Sequence, residues 1–152
     1  MTRIERAIVI NRPPEAVFEV LIDLDRLPDW ATIVVETNDA PEPPIRTGST
    51  FRQTIKVMGI PLESTWQVIE LERSRHVAYE ALALGGGRLA LRQTIIPIGD
   101  GSRVEMEVDY DLPGGLLGDI ADHVFVERHN EGEAERSLEN LKRLVESTPA
   151  LP

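Results

Sequence analysis

The sequence predicts an α+β fold in which a long C-terminal helix covers one face of a seven-stranded antiparallel sheet. Three features predict it: a first strand followed by a short helical segment, six strand-like segments in series, and a final segment with helical spacing. A sheet with its apolar residues on one face needs a cover. The helix predicted over 116–147 spans about 48 Å, which is enough to cross such a sheet.

The N-terminal elements are a strand and two short helices. The strand is predicted over 3–11, a β-branched and charged segment in which Ile4, Ile8 and Ile10 fall on one face. Residues 12–30 contain two prolines directly after Arg12, which suit the first turn of a helix, and continue with apolar residues at helical spacing. Pro28 interrupts this pattern, so a second short helical piece is predicted to end near Trp30.

Turn-forming Gly, Pro, Asp and Ser residues separate most of the six following strands. These strands are predicted over 32–37, 49–57, 62–72, 76–82, 88–98 and 103–112. The last one alternates most clearly, because Val104, Met106, Val108 and Tyr110 fall on one face and charged residues on the other. Such a pattern is typical of an antiparallel sheet with one face in water.

Composition limits the functional classes. The 152 residues suit one domain over 1–152, and the net charge of −10 argues against nucleic acid and anionic membrane surfaces as partners. With no cysteine there is neither a disulfide nor a thiolate metal site. We find no apolar run long enough to span a membrane and no secretory signal, so a cytoplasmic protein is expected.

This order of elements resembles the helix-grip fold of the START-like (SRPBCC) superfamily, and within it the bacterial polyketide cyclase/dehydrase-type branch. The resemblance is carried by RPPEAVFEVLIDLDRLPDW after the first strand, by WQVIELERSRHVAYE at mid-chain and by AERSLENLKRLVES near the end. It covers nearly the whole chain. It implies a cavity between sheet and helix that holds a hydrophobic small molecule.

The middle of the final helix is unusually polar. A helical wheel centred on Val124 places Arg128, Glu131 and Glu135 on the inward stripe, within about 40° of it, and places His129 and Glu133 on the opposite, solvent-facing side. One interpretation is that the three inward charges face water inside a cavity or at its mouth. The other is that the helix changes its contact face there and Gly132 relieves the bend. Both stay open at this point.

The sheet indicates polar groups on the inner wall. Gln53 shares a strand face with Phe51, and Gln93 shares one with leucine and isoleucine residues, so both glutamines need partners inside the fold. Trp66, Met106 and Tyr110 are predicted to line the same space. The expected ligand-binding set is Phe51, Gln53, Trp66, Gln93, Met106, Tyr110, Val124, Arg128, Glu131 and Glu135.

Three functions are compatible with this pattern. The first is a carrier or sensor of a lipid-like, polyketide or aromatic molecule. The second, implied by the resemblance, is a polyketide cyclase/dehydratase-like enzyme in which Arg128, Tyr110 and Glu131 would act as anion holder, acid and base. The third is a protein-binding module. No catalytic, nucleotide-binding or metal motif is visible, so no cofactor and no metal are expected and catalytic residues are not assigned.

Overall fold

The computed structural model describes residues 2–57, 59–83, 86–111 and 123–147. In these ranges seven strands form one antiparallel sheet in the order β1-β7-β6-β5-β4-β3-β2. The strands are β1 (Thr2–Ile10), β2 (Val34–Asn38), β3 (Thr50–Val57), β4 (Ile60–Glu72), β5 (His76–Ala83), β6 (Arg88–Ile98) and β7 (Gly101–Asp111). The helices are α1 (Pro14–Leu21), α2 (Leu27–Trp30) and α3 (His123–Ser147), with a 3₁₀ turn at Leu24–Arg26.

The predicted fold class is confirmed. The sheet, the two short helices after β1 and the long C-terminal helix all occur as expected. The predicted helix began at residue 116, and 116–122 lie outside the described residues. No helix within the described ranges is long and apolar enough to cross a bilayer.

Helix α1 begins where the two prolines predict. Pro13 is its N-cap and Pro14 its first residue, a place where a missing backbone N–H costs nothing. Its buried side is formed by Val17, Phe18, Val20 and Leu21. The side chain of Asp23 then accepts a 3.1 Å hydrogen bond from the Asp25 backbone N–H and starts the 3₁₀ turn that leads into α2. This turn carries the chain back over the sheet.

Strands β6 and β7 form a tight hairpin whose inner face is apolar. A two-residue connection contains Gly99 with a φ of +56°, a conformation that favours glycine. Gly101 follows, and a Cβ placed there would lie 2.9 Å from the carbonyl oxygen of Ile10. Val104 and Met106 are buried on the inner face, as the alternation predicts. The fold therefore depends on a close approach of β1 to this hairpin.

Helix α3 lies along β1 and also packs against α1 and α2. Its apolar C-terminal part closes the main core, where Leu141 and Val145 are buried in one cluster with Ile10 and Phe18. At about 25 cal/mol per Å² of buried apolar area, this packing is the main stabilisation of the helix. Further towards its N-terminus, α3 leaves a space between itself, α2 and the sheet.

Candidate functional site

A pocket of about 140 Å³ occupies this space between the inner face of the sheet, α2 and the middle of α3. Its wall is almost entirely apolar. The sheet contributes side chains from all seven strands, because inward-facing positions alternate along each one. The lining residues among those predicted are Phe51, Gln53, Trp66, Gln93, Met106 and Tyr110. The structure thus brings six of the ten expected residues to one wall.

Three aromatic side chains on neighbouring strands form one side of the pocket. The rings of Phe51 and Trp66 are parallel, with centroids 6.2 Å apart, and Tyr79 meets each of them edge-on at 6.1 Å. Trp66 is fixed by a 2.8 Å hydrogen bond from Nε1 to the Oγ of Ser64, which in turn donates to the Gln53 carbonyl oxygen at 2.7 Å. This side of the wall is therefore rigid.

Tyr79 was missed by the sequence analysis. It alternates with Val77 and Ala81 on β5, so the same period-two pattern that selected Trp66 would have found it. Burial raises the pKa of Tyr79 above its ordinary value, because the phenolate would be poorly solvated there. The Tyr79 side chain thus enters the wall as a neutral phenol.

The two glutamines differ in their hydrogen bonding. Both are buried, with 2% exposure for Gln53 and 3% for Gln93. Gln53 Nε2 donates a 3.1 Å hydrogen bond to Oγ1 of Thr37 on the neighbouring strand. The Oε1 atom of Gln93, in contrast, has no hydrogen-bond partner within the described part of the chain. An unpaired buried amide oxygen is costly, so Gln93 marks a place where a partner is needed.

Two more side chains of the pocket wall carry unpaired polar atoms. The hydroxyl of Tyr110 and Nε1 of Trp30 are both buried, and neither finds a partner among the described residues. Trp30 is the last residue of α2, which packs against both α3 and β2. Three unpaired polar atoms therefore belong to side chains that line a single apolar pocket. Water or a ligand can satisfy them.

Helix α3 presents a different face to the pocket from the one predicted. In the described part of α3 the lining residues are Asn130, Glu133, Ala134 and Ser137. Arg128 and Glu135 are exposed and Glu131 is only partly buried, and none of the three belongs to this lining. The prediction that they are on the inward stripe is wrong. The side chain of Val124 lies outside the described residues.

The physical reason is a rotation of the helix about its axis. The buried residues Ala134, Leu138, Leu141 and Val145 centre the inward face about 70° from Val124 on the wheel. The small residues Ala134 and Ser137 let neighbouring segments approach this face closely. Glu133, predicted to face solvent, consequently lies on one flank of the pocket side with only 20% of its side chain exposed. The prediction that Glu133 lies on the solvent-facing side is also wrong.

Glu131 and Glu135 lie on the opposite flank, next to β1. Arg6 extends between them, with Nη2 at 3.1 Å from Oε2 of Glu131 and Nε at 3.0 Å from Oε1 of Glu135. Arg6 lies on the same strand face as Ile4 and Ile8. The period-two pattern of β1 could therefore have predicted a cation on the inner face. The polar middle of the helix is thus explained on this side by an ion-paired contact with the edge strand.

Glu133 connects α3 to the segment after α2. Thr32 donates from its hydroxyl to the Glu133 carboxylate, and Arg136 Nη2 lies 2.6 Å from Oε1 of Glu133. Partial burial disfavours the charge, but these two hydrogen bonds outweigh it and lower the pKa of Glu133. The backbone N–H of Thr32 also donates a 3.0 Å hydrogen bond to Oγ of Ser137. The Glu133 carboxylate is therefore already used by protein partners.

In the described ranges no group of three or more His, Asp or Glu side chains is arranged to hold a metal ion. His129 Nε2 lies 3.7 Å from Oε1 of Glu133, with no third ligand beside them among the described residues.

Comparison with known proteins agrees with this architecture. A family model described as polyketide cyclase/dehydrase and lipid transport matches residues 1–146. The chain belongs to this family. The START-like resemblance seen in the sequence is confirmed by that match and by the solved structures.

One relative of this chain is a protein from Mycobacterium tuberculosis H37Rv named Toxin Rv0910. The two are 26% identical over 141 residues, which is 92% of this chain and 95% of that protein. Among solved structures, the Zhui aromatase/cyclase from Streptomyces sp. R1128 is similar with a TM-score of 0.73 and 18% identity, over 95% of this chain and 93% of that one. A START superfamily protein from Mycobacterium smegmatis gives 0.72 and 13%, over 95% and 97%. At these identities the two structures show a shared fold.

Proposed function

We propose that this member of the polyketide cyclase/dehydrase and lipid transport family binds one small hydrophobic molecule in the pocket between sheet, α2 and α3, as a carrier or sensor. The observation that carries the proposal is the set of unpaired polar atoms of Trp30, Gln93 and Tyr110 in an otherwise apolar wall. A ligand site is expected to combine an apolar lining with a few polar groups that orient the ligand.

The volume supports a small occupant. About 140 Å³ is close to the cavity of about 150 Å³ that accommodates benzene in an engineered protein interior. If the pocket stood empty, the lost packing would cost about 3 kcal/mol at 24 cal/mol per Å³. That is a large share of the 5–15 kcal/mol that stabilises an ordinary domain. Occupation of the pocket therefore stabilises the fold as well as serving transport or sensing.

The enzymatic alternative has weaker support. Of the three residues that a cyclase/dehydratase activity would use by resemblance, only Tyr110 lines the described pocket, while Arg128 and Glu131 lie outside its lining. General acid–base catalysis requires these groups within hydrogen-bond reach of one substrate. A carrier or sensor needs no such trio.

Toluene is a suitable probe, because it matches the volume and carries no polar group. We expect it to bind with 1:1 stoichiometry in calorimetric titration and to change the tryptophan emission, since both Trp30 and Trp66 line the pocket. Filling the space by Ala134→Leu or Val108→Phe should weaken binding. The matched control is Ile96→Phe, a bulky change at a residue 38% exposed on the outer face of β6.

Equal toluene affinity in the filled variants and in Ile96→Phe would contradict the proposal, because binding would then not take place in this pocket. Thermal denaturation of each variant shows that it is folded. Two filling variants on different elements, α3 and β7, ensure that one poorly folded protein does not decide the outcome.

A further inference from the structure

We infer that the pocket selects an uncharged ligand that carries a hydroxyl group, such as a small phenol or alcohol, over the corresponding hydrocarbon and carboxylate. This inference rests on the proposed function, since it names the chemical class of ligand for the same pocket. It follows from three properties of the wall: the kind of unpaired polar atoms, the lack of an available charge, and the size of the space.

The unpaired atoms require both a donor and an acceptor from the ligand. Oε1 of Gln93 only accepts hydrogen bonds and Nε1 of Trp30 only donates them, while the Tyr110 hydroxyl does either. All three side chains are buried, with exposures of 3%, 2% and 7%. A hydroxyl group both donates and accepts, so it is able to pair with any one of them. It also pairs with the Gln93 amide in either orientation of the amide group.

Two of these groups lie at different positions along the sheet. Gln93 pairs with Met106 across the strands, and Tyr110 is four residues further along β7. At about 3.4 Å per residue, the backbones at Gln93 and Tyr110 are about 14 Å apart along the sheet. Each therefore offers a separate anchor. Replacing one of them at a time identifies which anchor the ligand hydroxyl uses.

No side chain in the described pocket wall offers a free charge to an anionic ligand. Glu133 is negative and already bonded to Thr32 and Arg136. Lys56 is also among the lining residues, but it alternates with the buried Ile55 and Val57 on β3, so its side chain is exposed and solvent screens its charge. Moving a carboxylate from water into this apolar space would lose its hydration without a compensating ion pair. Moving a neutral hydroxyl from water into the pocket costs much less free energy, and a single hydrogen bond offsets that cost.

The size of the pocket limits the apolar part of the ligand. A volume of about 140 Å³ suits one six-membered ring with small substituents rather than a fused polycyclic body. Phe51, Trp66 and Tyr79 offer such a ring both stacked and edge-on contacts. A methylated phenol therefore combines the expected shape and polarity.

The test compares toluene, 4-methylphenol and 4-methylbenzoate at pH 7, where the phenol is neutral and the benzoate is charged. We expect 4-methylphenol to bind about three- to tenfold more tightly than toluene, the gain of one net hydrogen bond. The benzoate should bind more weakly than toluene. Calorimetric titration of the full chain measures all three affinities.

Variants assign the effect to the unpaired atoms. Tyr110→Phe and Gln93→Met each remove an unpaired polar group at nearly constant volume, so neither should lower the melting temperature. At least one of them should reduce the preference for 4-methylphenol over toluene to about one. Gln67→Met is the matched control, because Gln67 is exposed on β4 and is not among the described lining residues, and it should leave the preference unchanged.

The outcomes separate the two proposals. If toluene and 4-methylphenol bind equally tightly, or if 4-methylbenzoate binds as tightly as the phenol, the hydroxyl inference is overturned while the proposed function stands. A preference that persists in both Tyr110→Phe and Gln93→Met also overturns it. If none of the three compounds binds, the proposed function fails and the inference fails with it.

Discussion

The backbone N–H of Thr32 donates a 3.0 Å hydrogen bond to Oγ of Ser137. This bond joins the segment after α2 to the centre of α3, directly at the wall of the pocket. The hydroxyl of Thr32 lies 3.2 Å from the same Oγ atom, so Ser137 meets both polar groups of one residue. The pocket thus has its shape because two elements far apart in sequence are tied together there.

Ser137→Ala removes the acceptor and leaves the Thr32 N–H without this partner. Ser137 is buried, with 7% exposure, so water replaces the lost bond poorly. We expect a loss of about 1 kcal/mol in the free energy of unfolding, measured by urea denaturation. Ser147→Ala is the control on the same helix, at an exposed residue whose hydroxyl bonds only within its own turn. Equal effects of the two changes would contradict a structural role for Ser137.

Arg6→Met leaves Glu131 and Glu135 facing each other without their shared cation. Two like charges at i,i+4 on a helix repel. The three side chains are 31%, 41% and 58% exposed, so solvent screening reduces the effect to about 1 kcal/mol. The loss should shrink further in 0.5 M NaCl, which thermal denaturation at two salt concentrations would detect.

Arg3→Met is the control for this change, since Arg3 is on the same strand but pairs with Asp109 on the outer face. We expect a smaller effect from it than from Arg6→Met. If removing Arg6 stabilised the chain, the ion-paired contact would not hold α3 to β1.

Gly132→Ala should raise stability. Gly132 lies inside α3, and a Cβ there would meet only the flexible guanidinium of Arg136, at 3.3 Å. Alanine in a helix interior is favoured over glycine by about 0.5–1 kcal/mol. Gly101→Ala is the opposite case, because its Cβ would approach the Ile10 carbonyl oxygen to 2.9 Å and should destabilise the chain. Loss of stability on Gly132→Ala would show that the helix requires glycine for its curvature.

Glu133→Gln should make the chain less sensitive to acid. Partial burial opposes the charge of Glu133, but hydrogen bonds from Thr32 and Arg136 outweigh it and lower the pKa below the ordinary value of glutamate. The carboxylate therefore stabilises the native state above about pH 4.3, and this contribution is lost as the pH falls through the lowered pKa. The wild type should be more stable than Glu133→Gln at pH 7, and the difference should narrow towards pH 3.

Thr32→Val provides the check on this mechanism, because it removes the neighbouring hydrogen-bond donor. In the Thr32→Val background the pH-dependent part of the Glu133→Gln effect should decrease. A difference between wild type and Glu133→Gln that stayed constant from pH 7 to pH 3 would contradict the lowered pKa.

The sequence by itself determined the sheet and most of its inner wall. Residues alternate between two faces of a strand with a fixed period of two, so assigning one apolar face assigns every position. The same alternation puts Gln53, Gln93, Trp66, Met106 and Tyr110 on one face of the sheet, and all five line the pocket. The order of elements likewise predicted the covering helix and the family.

The tertiary structure decided which face of α3 meets the pocket. A helix has no fixed inward side, and the inward face of α3 differs by about 70° from the predicted one. Glu131 and Glu135 therefore lie next to Arg6, and Glu133 lies next to Thr32. These partners are more than 100 residues away in the chain, so the helix sequence alone could not predict which groups pair with the three glutamates. The sequence also could not predict that polar atoms of Gln93 and Trp30 are unpaired. Whether a buried atom has a hydrogen-bond partner depends on every element packed around it.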